Sequence, residues 1–163
     1  MKQEELNGIM KQHKAWLNGE EGGKRANLQG AKLHGAYLQG ESLEDADLQH
    51  SDLQHSDFRD AILRGAKVNG AVLHGTDLRR SDMRGADLDY ASWPLWCGSL
   101  KAYVDDRIAI QLLYHTLSVV QYSPYVSEEV KKALLSAENV RIANRFHRIG
   151  ECGEIEEWEE GTK

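Results

Sequence analysis

The chain has 163 residues, 40% of them apolar and 28% charged, with a formal net charge of −6 and a mean hydropathy of −0.59. That suffices for one domain with additions, and the acidic balance disfavours direct nucleic-acid binding, which needs a basic patch. No apolar stretch approaches the ~20 residues of a membrane-spanning helix, and two cysteines, Cys97 and Cys152, fit a reducing compartment.

The first residues, Met1-Lys2-Gln3-Glu4-Glu5, lack the apolar core of a secretion signal, so the expected location is cytoplasmic. Leu6, Ile9, Met10, His13 and Leu17 then follow helical spacing with Trp16 alongside, and Asn18-Gly19 ends the pattern. Gly19-Glu20-Glu21-Gly22-Gly23-Lys24 looks like a phosphate loop but is one residue short. Arg25 also stands where Ser or Thr is needed, and no helix follows, so no nucleotide site is expected.

From Leu28 to Trp93 every fifth residue is large and apolar, and two residues before each stands a small one, from Ala26 to Ala91, with Glu41 the single departure. A helix would spread residues five apart around its axis, and one long strand would point alternate leucines at water. The solution left is a short extended piece followed by a bend in every quintet, which is a solenoid.

Quintets such as Ala26-Asn27-Leu28-Gln29-Gly30, Ala46-Asp47-Leu48-Gln49-His50 and Ala86-Asp87-Leu88-Asp89-Tyr90 closely resemble the pentapeptide-repeat proteins over residues 26–95. The resemblance implies an all-β solenoid, a right-handed quadrilateral β-helix with the small and large positions inside and the other three outside. Its 14 quintets, four to a coil, make about 3.5 coils. At the spacing of paired strands the rod is about 17 Å long. Glu41 is expected to reach water through a local bulge or its place near the first coil, with a binding feature as the other reading, because a carboxylate buried among alanines is costly.

Residues 20 apart should stack in outward columns. One side carries Asp57, Asp77, Arg59, Arg79, Asp60 and Arg80, and the next Glu44, Arg64, Arg84 and Asp82. A third presents Asp47, Lys67, Asp87 and Asp89, and the fourth is nearly neutral. His34, His50, His55 and His74 fall on outward positions, with His34 and His74 on one side but about 10 Å apart, too far to share a metal.

Some members of the resembled family mimic DNA and inhibit or protect DNA gyrase. Duplex DNA carries about one charge per 1.7 Å, about ten over such a rod. Residues 26–95 hold 11 acids against 7 bases, a difference of 4, and arginine columns would repel a basic groove.

A β-helix needs its ends covered, and both flanks read as caps. The expected division is 1–25, an N-terminal helical cap and linker; 26–95, the repeat array; 96–150, a C-terminal helical cap and candidate dimerisation segment; and 151–163, an acidic tail. Within the third, Asp105 or Asp106 starts a helix whose Ala109, Leu112, Leu113, Thr116, Leu117 and Val120 share a stripe. Pro124 interrupts it, and Ser127-Glu128-Glu129 starts another that runs to about Ile149 with a break near Asn139.

Cys97, His115, His147 and Cys152 form a ligand set suited to a structural zinc, the one cofactor the residues suggest. Buried free thiols and a Cys97 to Cys152 disulfide are the other readings, since no Cys-x-x-Cys clamp is present. No catalytic motif or cleft is offered, so the chain is expected not to be an enzyme. The expected function is a protein-interaction module, a bacterial or phage accessory protein, binding its unknown protein partner through Asp57, Asp77, Arg59, Arg79, Arg64 and Arg84. By resemblance it is also expected to pair with itself through residues 105–149, a monomer whose helices fold back on the last coil being the other reading. The alternative is a DNA mimic directed at gyrase or another DNA-handling protein.

Overall fold

The computed structural model describes residues 1–92, 102–145 and 154–156, in two compact units, Met1–Asp105 and Asp106–Lys163.

In the first unit, parallel bridges join residues 20 apart from Asn27↔Asp47 through Val72↔Ser92, so four quintets complete each coil. The rungs follow one rule: Leu28 N–H donates to the Asp47 carbonyl at 2.7 Å, and Asp47 N–H to the Ala26 carbonyl at 3.0 Å. Between rungs the chain bends. Ala31 N–H returns to the Leu28 carbonyl at 3.1 Å, and the same turn recurs at every quintet through Ala91.

The bend requires a left-handed residue. All thirteen corner residues from Gly30 to Tyr90 have φ between 56° and 73°, which is the conformation a type II turn needs in its third position. Seven are glycine; Asp45, His50, His55 and Asp60 are types that tolerate the conformation, whereas Arg80 and Tyr90 are not.

The large positions Leu28 to Leu88 are all buried, while Trp93 lies outside the described residues. Their small partners are buried too, apart from half-buried Ala31 and Ala91 and exposed Glu41. Glu41 has no bulge: its N–H reaches the Leu38 carbonyl at 3.2 Å, and its carbonyl takes the Ile62 N–H at 2.9 Å. Its place in the first coil exposes it. Where Ser or Thr replaces Ala inside, the hydroxyl donates to a leucine carbonyl: Ser51 to Leu48, Ser81 to Leu78 and Thr76 to Leu53, each at 2.7 Å, and Ser56 to Leu53. A buried hydroxyl is tolerated because it is satisfied.

Helix α1, Gln3–Leu17, covers the start of the array with Leu6, Met10 and His13 buried. The first coil has no coil before it, so its outer backbone groups need other partners. The Gln3 side chain supplies them at Tyr37, accepting its N–H and donating to its carbonyl, both at 3.1 Å. Gly23 closes the linker against α1, where a Cβ would lie 2.4 Å from the Trp16 nitrogen. Past the repeats the ladder gains one more rung: Tyr103 pairs with Asp82, and Met83 N–H reaches the Tyr103 carbonyl at 2.8 Å.

In the second unit, α2 (Asp106–Tyr122), α3 (Glu128–Leu134) and α4 (Ala137–Ala143) gather Tyr114, Leu117, Val120, Leu135, Val140, Ala143 and Ile155 into a small core. The buried face of α2 is Ile108, Gln111, Tyr114, Leu117 and Val120; Ala109 and Thr116, expected inside, are exposed. The expected stripe followed the leucines, but the face turns to bury the larger Tyr114. Ser127 caps α3 by accepting the Val130 N–H at 3.4 Å. The break falls at Leu135-Ser136, ahead of the expected Asn139, because Ser136 restarts the chain as the N-cap of α4.

Candidate interaction surface

On two successive sides of the array an aspartate precedes the buried large residue and an arginine follows it, so both project outward two residues apart. The pairs close on themselves. Arg59 grips Asp57 through Nε at 2.9 Å and Nη2 at 2.6 Å, Arg79 grips Asp77 at the same distances, and Arg84 grips Asp82 at 2.8 and 2.6 Å. Such two-pronged contacts fix the guanidinium plane as well as its position.

Other contacts run between coils. Arg80 makes a two-pronged bond to Asp60, both prongs 2.7 Å; Arg64 reaches Glu44 at 2.9 Å; and Arg59 and Arg64 approach Asp77 and Asp82 at 3.8 and 3.9 Å. The six residues expected as a partner surface therefore fall into two groups: Asp57, Arg59, Asp77 and Arg79 are joined on one side, and Arg64 and Arg84 meet through Asp82 on the next. The arginine side-chain hydrogen bonds hold Asp57, Asp77, Asp82 and Asp60 below the usual carboxylate range.

The aspartates have a second, local role. Asp47, Asp52, Asp57, Asp77, Asp82 and Asp87 each accept the backbone N–H two residues on, at 3.1 to 3.3 Å, and Asn27 does the same without a charge at 3.2 Å. These side chains brace the turn. Much of the acid content of the array thus has a structural cause independent of any partner.

The histidines are less dispersed than their spacing suggests. His55 sits edge-on between His34 and His74, with ring centroids 5.3 and 5.7 Å away. The left-handed corner turns its ring toward the neighbouring columns, which a reading by column alone misses. His50 and His55 also lie over Gly70 and Gly75, where a Cβ would come within 2.3 and 2.4 Å of an imidazole nitrogen.

Of the suggested zinc ligands, His115 is exposed on α2, and Cys97, His147 and Cys152 lie outside the described residues. Among the described residues no group of three or more His, Cys, Asp or Glu side chains has a metal-holding arrangement, and no helix is long and apolar enough to cross a membrane. The second unit exposes Val119, Tyr122, Tyr125, Val130 and Leu134.

A chain that advances by quintets, buries two of every five residues and pairs with itself 20 positions on is a parallel β-solenoid. Residues 26–92 carry pentapeptide repeats: the family profile described as Pentapeptide repeats matches residues 26–65 and 63–92 in eight copies. Members of that family fold as right-handed quadrilateral β-helices and are generally structural or interaction proteins.

Similar solved structures include a pentapeptide-repeat protein from the Arabidopsis thaliana thylakoid lumen, 29% identical, covering 39% of this chain and 47% of that one, with a TM-score of 0.23. Another is Rfr23 from the cyanobacterium Cyanothece 51142, 25% identical over 50% of this chain and 58% of that one, TM-score 0.24. A third is QnrB1, a plasmid-mediated fluoroquinolone resistance protein, 15% identical over 50% and 40%, TM-score 0.29. The chain thus spans about half the length of these structures. No curated protein matches it.

Proposed function

We propose that this chain is a non-enzymatic protein-interaction module of a bacterium or phage, acting in the cytoplasm. Its scaffold is a rod of about 3.5 coils begun by α1, and its partner contacts the Asp57, Asp77, Arg59, Arg79, Arg64 and Arg84 rows. The observation that supports this is the self-paired order of those rows. Charged side chains held by two-pronged bonds lose little rotamer freedom on binding, so they suit a partner with matching alternating charge. The same pairing disfavours DNA mimicry, because guanidinium groups lie across the carboxylates that would stand for phosphates. The exposed apolar side chains of the helical unit support self-association through residues 105–149.

The test is capture from bacterial lysate by wild-type protein and by a variant with Asp57, Asp77, Arg59 and Arg79 jointly replaced by Gln or Asn, with and without duplex DNA as competitor. Loss of a specific partner in the variant, with DNA having no effect, supports the reading. Retention of every partner by the variant refutes the choice of surface, and displacement by DNA favours the mimic. Light scattering on purified protein measures self-association, and a monomer removes the proposed dimer.

A further inference from the structure

We propose that His13 is an acid-operated latch, holding α1 against the first coil while neutral and releasing it when protonated. Its ring is fully buried and stacks on Trp16 with centroids 5.5 Å apart and planes within 11°. Nδ1 accepts the Ala26 N–H at 3.1 Å. A backbone amide can only donate, so this bond fixes the tautomer: the lone pair is on Nδ1 and the single proton on Nε2. Protonation would place an N–H against an N–H at the junction between helix and array.

The surroundings oppose the charge. Nε2 is buried without a completed hydrogen bond. The charged groups that act on the ring are Arg25, which disfavours a cation, and Asp45, which favours one; the Glu44 carbonyl also favours it. Burial first, and Arg25 second, push the His13 value below the ordinary 6.5. Of the other ties, the Gln3 amide on Tyr37, the Lys24 N–H on the Gln12 carbonyl at 3.0 Å, and buried Leu6 and Met10 carry no titrating group, and the Met1 ammonium just ahead of α1 donates to the Lys32 carbonyl at 2.8 Å, a bond that acid preserves.

The direction follows from linkage. The docked helix excludes a proton that the released helix accepts, so docking is intact above 6.5 and weakens as pH falls below it, until the depressed docked value is reached. Within that window the released fraction rises by up to about tenfold per pH unit. Release would bare the first coil's edge at Tyr37 and the buried side chains beneath the helix.

Hydrogen exchange of the full chain, corrected for intrinsic rate, tests this between about pH 7.5 and about pH 4.5. Amides of α1 should open more at the acid end, by up to about tenfold for each pH unit between 6.5 and the depressed docked value, while those of the central coils keep their protection. In His13→Gln, whose amide oxygen can accept the Ala26 N–H without taking a proton, the α1 pH dependence should vanish. A wild-type α1 indifferent to pH, or the same rise in His13→Gln, overturns the latch. Because the variant helix could be detached at every pH, NMR titration of the wild-type imidazole is the second measurement. A value below 6.5 with the Nε2-protonated tautomer supports the latch, and a value at or above 6.5 overturns it.

Discussion

Within the repeats from Asn27 to Ser92 every bridge joins residues 20 positions apart, as at Asp47↔Lys67 and Asp52↔Val72, whereas in the helical unit Tyr114 and Leu117 share a core with Val140 and Ile155 across intervals that no spacing rule supplies. The array therefore has a repeating local cause for each contact. The helical unit depends on how three short helices happen to meet, and α3 buries no residue at all. Regularity makes the first unit readable and also makes its faults comparable, since one substitution can be tried at equivalent places in different coils.

The largest effect should come from the array's interior. Phe58→Ala should cost about 3 to 5 kcal/mol and Leu53→Ala about 2 to 5, because both are fully buried and rigid stacked coils cannot collapse onto the cavity. The outward Gln54→Ala, between them in the same chain segment, should stay within about 0.5 kcal/mol. Chemical denaturation of the three variants measures this, and equal losses would break the inward and outward division.

Next in size is a pair of glycines with opposite expectations. Gly23→Ala should cost about 1 to 3 kcal/mol, since its Cβ would meet α1 backbone at 2.4 Å and neither chain can yield cheaply. Gly8→Ala, in α1 with nothing within 4 Å, should instead stabilise by about 0.5 to 1 kcal/mol through helix propensity. Their thermal midpoints should move in opposite directions.

These two glycines also show what was legible beforehand. The period of five located the core from Leu28 to Leu88 and the outward columns, because burial in a solenoid is decided within each quintet. The end of α1 before Asn18-Gly19 and its Leu6, Met10 and His13 face were likewise visible in the sequence. The roles of Gln3 and Gly23 were not, since each depends on a neighbour brought together only by folding, and a lone glutamine or glycine carries no periodic signal. The Arg and Asp columns were readable as columns. Their closure into ion pairs was not, because it depends on side-chain torsions. The histidine contacts of His55 with His34 and His74 needed the left-handed turn of the corner itself.

A smaller effect should appear at the corners. Gly30→Ala adds no contact within 4 Å, so its cost isolates the left-handed backbone, φ 63°, at about 1 to 2 kcal/mol. Gly30→Asn should cost less, because an asparagine side chain can hydrogen-bond locally in that conformation. Equal costs in denaturation would mean that space, not torsion, selects glycine there.

The smallest effect separates the two roles of the aspartates. Asp52→Asn keeps an oxygen for the Gln54 N–H, as Asn27 does for Gln29, and should stay within about 0.5 kcal/mol at any salt concentration. Asp57→Asn keeps the same brace to Arg59 N–H but removes the charge that the guanidinium grips, so it should cost more at low salt and converge on Asp52→Asn at high salt. The pH dependence has a defined sign. Arg59 holds Asp57 below its ordinary value, so its contribution is present above the usual carboxylate range and is lost as pH falls through the depressed value. Asp57→Asn should remove that acid-side loss and Asp52→Asn should leave it in place. If both variants respond alike to salt and acid, the rows are turn braces only, and a partner surface built on their charges loses its physical basis.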